Sequence, residues 1–149
     1  MVTEGLAEPV FTAEVTAAAF RVLRVPPLLG RTLVESDEEA GAPLVAVIGH
    51  DLWQSRFKGD SGVVGRAVRL TRAPATIVGV MPDGFAFPRT QELWVPLRID
   101  ASGHDRRQGM AIEIIGRLAP GVSLREARTE LTNLGRIGSP LIRYRTGDQ

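Results

Sequence analysis

Residues 44–48, Leu44-Val-Ala-Val-Ile48, form an uninterrupted apolar run rich in β-branched side chains. A run of that length and type fits a strand covered on both faces. Gly49 permits a tight exit. Residues 50–57 then read as a helix of about two turns, with Trp53 and Phe57 four apart on one side, and Gly59 is placed to end it in a left-handed turn. Residues 66–70 alternate, putting Ala67 and Arg69 on one face, and residues 75–81 return as a second strand after a turn at 71–74. This strand–helix–hairpin unit is the piece around which the rest of the chain can be arranged. Gly79, inside Ile77-Val-Gly-Val80, marks a bulge or a point of close packing rather than a ligand site.

The flanks are shorter and more broken. Residues 8–15 alternate loosely and predict a strand. Thr16 predicts the N-cap of a brief helix in which Phe20 and Leu23 share the buried side, and Pro26-Pro27 stops it. Residues 28–33 lead into the acidic run 35–39, read as a solvated turn; its spacing cannot wrap a calcium ion, which wants ~6–8 oxygens and a glycine at the bend. Residues 60–65 read as a polar turn anchored by Val63 and Val64. Residues 82–88 are a loop by their proline and glycine content, with Phe85 and Phe87 plugging it onto the core. Residues 92–97 form a short strand, Pro96 favouring an edge or an end. Residues 99–109 are polar and expected to be mobile, and 110–118 predict a further strand.

Ser123 and Glu126 then make a capping box. Leu124, Ala127, Leu131 and Leu134 follow at helical spacing. Ser123 is therefore a cap and not a nucleophile, and its loss is expected to cost about 1 kcal/mol. From Gly135 the periodicity breaks. The fold class predicted is α+β, small mixed sheets with short helices packed on them, in one domain over residues 1–137 with an irregular tail over 138–149.

A chain of 149 residues is long enough to bury a core without metal or disulfide. It has no cysteine, which removes thiol nucleophiles, thiolate metal sites and disulfides together. The net charge of +1 covers a gradient: residues 1–60 carry nine acids and five bases, residues 98–149 nine bases and six acids. The arginines are scattered and only one tyrosine is present, unlike the dense basic stripe of a nucleic-acid binder. Lys58 is the only lysine among the eighteen basic residues, an arginine bias that reflects composition more than phosphate recognition. No window of ~20 apolar residues exists to span a bilayer, and the acidic first eight residues lack the basic start and apolar core of an export signal.

No constellation for bond-making chemistry is recognisable along the chain. Two histidines, His50 and His104, have no H-E-x-x-H spacing. No G-x-S-x-G elbow is present. Gly59, Gly62 and Gly65 match neither a dinucleotide fingerprint nor a phosphate loop. Asp51 is read as charge offered to the positive end of its helix. The residues thus assign no catalytic, cofactor-binding or metal-binding position, and predict that the chain is not an enzyme.

Seven segments taken together resemble one family. They are Val15-Thr-Ala-Ala-Ala-Phe-Arg-Val-Leu23, Pro27-Leu-Leu-Gly-Arg31, the strand and helix from Val45 through Leu52-Trp53 to Arg56-Phe57, Val64-Gly-Arg66, Ile77-Val-Gly-Val80, Glu92-Leu-Trp-Val-Pro-Leu97 and Gly116-Arg-Leu-Ala-Pro-Gly-Val-Ser-Leu124. In order and spacing they look like the MacB-like periplasmic core domain of FtsX-type ABC transporter permeases, the acidobacterial-type group, over residues 9–134. The resemblance implies a non-catalytic, extracytoplasmic domain held between transmembrane helices. A separate ATPase would drive the transporter, and the domain would relay that motion to substrate or envelope partners, an adaptor protein among them. Three departures stand out. Arg24 stands where the family usually has glycine, and Thr71-Arg72 where it usually has Asn-Gly. The flanking membrane helices and the first part of the domain are also missing. The resemblance therefore implies a fragment of a permease, with unpaired strand edges that would allow self-association. The alternative is a free-standing soluble binding module on the same scaffold.

Overall fold

The computed structural model describes residues 9–70, 73–98 and 113–138. The chain divides into two compact units, Met1–Ile99 and Asp100–Gln149.

The first unit is a six-stranded mixed sheet in which β3 (Val45–Ile48) lies at the centre, as its apolar run predicts; all four of its residues are buried. On one side β3 pairs in parallel with β5 (Pro74–Val80), on the other antiparallel with β6 (Leu93–Pro96). Beyond β6 lies β1 (Thr12–Val15), parallel to it. The far edge of β5 is shared by two short antiparallel strands: β4 (Ala67–Arg69) along its first half and β2 (Leu29–Gly30) at its end. The hairpin of β4 and β5 forms as expected, with Val68 inward and Ala67 and Arg69 outward; its turn at 71–72 lies outside the described residues. Pro96 ends β6, a strand interior to the sheet and buried along its whole length.

Strand periodicity sends alternate residues to opposite faces, and the sheet uses both. Val45 and Val47 of β3 with Trp94 of β6 face α1 (Ala17–Leu23), joining Ala17, Phe20, Leu33 and Met81 in one core. Ala46 and Ile48 with Leu93 and Val95 face α2 (His50–Phe57), joining Leu52, Phe57, Val63, Val68, Ala75 and Ile77 in the other. Phe85 reaches over the α1 face, its ring 6.1 Å from Phe20 and 5.0 Å from Trp94. The Phe87 carbonyl accepts the Trp94 indole N–H at 2.6 Å. The loop is thus plugged by Phe85 as predicted, while Phe87 contributes its backbone.

The helix ends differ from expectation in detail. The Thr16 side chain makes no capping bond; the Ala17 amide donates instead to Glu38 Oε1 at 2.6 Å. Arg24 takes the left-handed conformation with φ 56°. In α2 the left-handed position begins one residue before Gly59, at Lys58 with φ 53°, and Gly59 follows at φ 68°. Of the two valines expected to anchor the turn at 60–65, Val63 is fully buried and Val64 is exposed.

The acidic run is the clearest correction. Glu35–Glu38 is a turn of 3-10 helix whose Asp37 is buried. Both Asp37 oxygens accept from Arg31, at 2.7 and 2.9 Å, and one also accepts the Val34 amide at 2.9 Å. Arg98 donates to the Asp37 and Pro43 carbonyls at 2.9 and 3.1 Å. A run read as solvent-facing is half structural, because a single carboxylate turned inward meets a fork of guanidinium donors.

In the second unit α3 (Leu124–Gly138) begins as the capping box predicts. The Ser123 hydroxyl accepts the Glu126 amide at 3.3 Å, and Glu126 Oε2 accepts the Ser123 amide at 2.8 Å and its hydroxyl at 2.7 Å. The helix continues through Gly135 to Gly138, past the point where periodicity fails; one glycine costs a helix about 1 kcal/mol, too little to force an end. The strand predicted over 110–118 is absent from its described part: residues 113–118 form no strand, and Ile114 and Leu118 are exposed. Residues 110–112 and the polar stretch 99–109, with His104, lie outside the described residues, as do 139–149.

Candidate functional site

The topology itself selects one end of the sheet. β3 and β5 are adjacent and parallel, so their C-terminal ends share a rim, and β6, antiparallel to β3, begins at the same rim. In α/β sheets, ligands characteristically enter outside the carboxyl ends of such strands, where the chain directions diverge. Here the chain leaves β3 through Gly49 into α2, leaves β5 through Met81 into the 82–92 loop, and enters β6 from Glu92. The Gly49 amide donates to the Glu92 carbonyl at 2.7 Å, tying the two sides together.

The residues that follow the strands meet there. His50 is the first residue of α2 and Asp51 the second; Asp83 follows β5. The His50 Nδ1 lies 3.8 Å from Asp51 Oδ1 and 3.9 Å from Asp83 Oδ1, and one donor atom from each residue lies within 4.8 Å of the other two. The imidazole is held from the side by Trp53, whose ring meets it edge-on at 5.6 Å, and Trp53 is itself fixed by its N–H to the Asp60 carbonyl at 2.8 Å. His50 is about three-quarters covered, whereas the Asp51 and Asp83 side chains are 90% and 81% exposed. The ring is therefore positioned and the carboxylates are free to swing.

Beside this trio opens a pocket of about 380 Å³. Its apolar wall is Phe11, Leu52 and Phe85, and its polar rim includes His50, Asp51 and Glu92. A second, more polar recess of similar volume lies between Val10, Ser55, Arg56 and Glu92.

At 3.8 and 3.9 Å the three groups are not directly hydrogen-bonded to one another. What the arrangement can do is hold a cation or contact a polar ligand in the adjoining pocket. Local spacing puts His50 and Asp51 at a helix start and Asp83 in a loop, and marks none of the three as a site residue. The missing signal was topological: acids immediately after two apolar runs converge only if those runs pair in parallel.

Among the described residues, the carboxylates with a resolved shift, Asp37 and Glu126, lie elsewhere and are structural. Burial pushes the Asp37 carboxyl up, but the Arg31 hydrogen bond, the Val34 amide and the charges of Arg31 and Arg98 outweigh it and hold the group below the ordinary carboxylate range. Glu126 is likewise held low by the Ser123 hydroxyl and amide.

The family model of the MacB-like periplasmic core domain matches residues 2–134. The chain belongs to that family. Its sheet-and-helix framework has the α+β fold of the periplasmic region of MacB from Actinobacillus actinomycetemcomitans, at a TM-score of 0.62 and 20% identity over 87% of this chain and 58% of that one. A second similar structure is the extracellular domain of the noncanonic ABC-type transporter YknZ from Gram-positive bacteria, at 21% identity and a TM-score of 0.48, covering 58% of this chain and 43% of that one. The chain spans about half the length of these two solved domains. No curated protein matches it. Among the described residues no helix is long and apolar enough to cross a membrane.

Proposed function

We propose that this MacB-like core works as a non-catalytic extracytoplasmic module of an ABC-type permease, in the periplasm of its cell. The observation that carries the reading is the family match over residues 2–134. The architecture supports it physically: a central strand buried on both faces and two separate cores make the sheet a stiff body, suited to passing on a displacement. The motion would originate in a separate ATPase and arrive through the remainder of the permease. The outer edge of β1 has no strand partner among the described residues, and it offers a backbone ladder to the rest of the permease, an envelope adaptor or a second copy.

The test is functional replacement. In a full-length permease carrying this segment, deletion of residues 9–134 should leave ATPase association intact and abolish export. Export that persists without the segment overturns the reading. Light scattering after size exclusion reports whether the isolated chain self-associates through its free edge; a monomer at high concentration removes that partner.

One observation favours a second reading, a ligand-binding module on the same scaffold: the open pocket of about 380 Å³ lined by Phe11, Phe85 and Glu92, within the size range of small-molecule sites. A metabolite panel that shifts the melting temperature supports it, and a flat panel excludes it at the concentrations used.

A further inference from the structure

We infer that His50, Asp51 and Asp83 form a binding site for a divalent transition-metal ion of the zinc class, at the rim where β3 and β5 end. The inference does not depend on the transporter reading.

Three observations carry it. The first is the donor set. One imidazole and two carboxylates supply charge that neutralises a divalent ion, and nitrogen with oxygen donors suits zinc and its neighbours better than calcium, which takes oxygen alone. The second is geometry. With His50 Nδ1 at 3.8 and 3.9 Å from the two carboxylate oxygens and the donor atoms all within 4.8 Å, the centre of the triangle lies no more than about 2.5 Å from each atom. Zinc–ligand bonds run at ~2.0–2.2 Å, so the two exposed aspartates need only a small inward swing. The same spacing is too wide for the three groups to satisfy one another by hydrogen bonds.

The third observation is origin. The donors come from two segments far apart in sequence, brought together because β3 and β5 are parallel neighbours. His50 packs edge-on against the Trp53 ring at 5.6 Å, which limits the positions the imidazole can take. The positive end of α2 opposes a cation here, but two carboxylates face that partial charge. Three protein ligands leave a coordination position open, beside the pocket that His50 and Asp51 also line. An ion held there would pin the 82–92 loop to the start of α2, and with it Phe85 on the α1 core.

Calorimetric titration of the full, tag-free chain with zinc chloride tests the site. The expected result is one saturable site per chain and a melting temperature that rises with zinc. His50→Ala and Asp83→Asn should each weaken binding at least tenfold, while His104→Ala leaves it unchanged. Asp83 is exposed, so Asp83→Asn keeps the test decisive if His50→Ala fails to fold. No saturable binding up to millimolar zinc, or equal affinity in wild type and Asp83→Asn, overturns the site.

Discussion

Gly79 backs onto Arg31 so closely that a Cβ on Gly79 would collide with the Arg31 carbonyl. The contact coincides with a slip in the β3–β5 ladder: Ala46 pairs with Ile77, but Val47 pairs with Gly79, leaving Val78 as the extra residue. Without that bulge Val80 would fall on the opposite face from Ile77, three positions away. With it, both enter the α2 core. The carbonyl is backbone and cannot rotate aside, so Gly79→Ala must displace β2 or the bulge. It is expected to destabilise the fold by about 3 kcal/mol or more, at or beyond the upper range of overpacking. Gly116→Ala, with open space around its Cα and no positive φ, should change little. Urea unfolding of the two variants measures the contrast.

The buried Asp37 gives the fold a predictable response to acid. Its folded pKa lies below the unfolded value of ~3.9, so the unfolded chain binds the proton first as pH falls. The stabilisation is complete above the unfolded value and is lost as pH drops toward the folded one. Melting temperature should therefore decline below about pH 4, and Asp37→Asn should flatten that decline. At neutral pH Asp37→Asn is expected to lose about 1–3 kcal/mol, because the buried position loses the charged acceptor that takes the Arg31 fork and the Val34 amide. An acid profile identical in wild type and variant contradicts the assignment.

Much of this framework can be read from the residues, for a physical reason. Val45 to Ile48, the Ala67–Val68–Arg69 alternation and the Ser123–Glu126 pair carry local signals, and each forms what its spacing predicts. Gly79 was legible as close packing or a bulge and is both. What local spacing cannot carry is pairing between distant segments. Arg31 and Asp37 sit six apart, a spacing that brings no two side chains together in a regular helix or strand, and the 3-10 turn joins them. Asp83 meets His50 only through the order of strands. Residues 113–118 alternate enough for a strand, yet a strand exists only against a neighbour, and pattern does not supply one. The family resemblance gave the fold class, and left both the inward Asp37 and the rim trio unmarked.

Arg24 and Lys58 both hold the left-handed conformation, at φ 56° and 53°, each closing a helix where glycine is favoured. The Cβ penalty of that region is about 1–2 kcal/mol for a residue with a side chain. Glycine removes it but gives the unfolded chain more freedom, which returns about 0.4–1 kcal/mol. Arg24→Gly and Lys58→Gly should each stabilise by up to about 1 kcal/mol, and the pair should add, since the sites close different helices. Thermal melts of the single and double variants check both sign and additivity. A destabilised Arg24→Gly would show that the side chain contributes a compensating contact.

The start of α3 carries its own acid dependence, separable from that of Asp37. Glu126 is held below the ordinary carboxylate range by the Ser123 hydroxyl and amide. Its contribution is therefore present above the unfolded carboxylate value of ~4.3 and fades as pH falls through the folded one. Ser123→Ala removes the hydroxyl that accepts the Glu126 amide and donates to its carboxylate. Amide exchange of residues 124–127 should speed up in Ser123→Ala at neutral pH, while amides of β3 keep their protection. In wild type, acidification below about pH 4 should bring the same loosening of the first turn. Unchanged exchange at 124–127 in Ser123→Ala would mean that the helix start is fixed by its backbone bonds alone, such as Ala127 N–H to the Ser123 carbonyl at 3.1 Å.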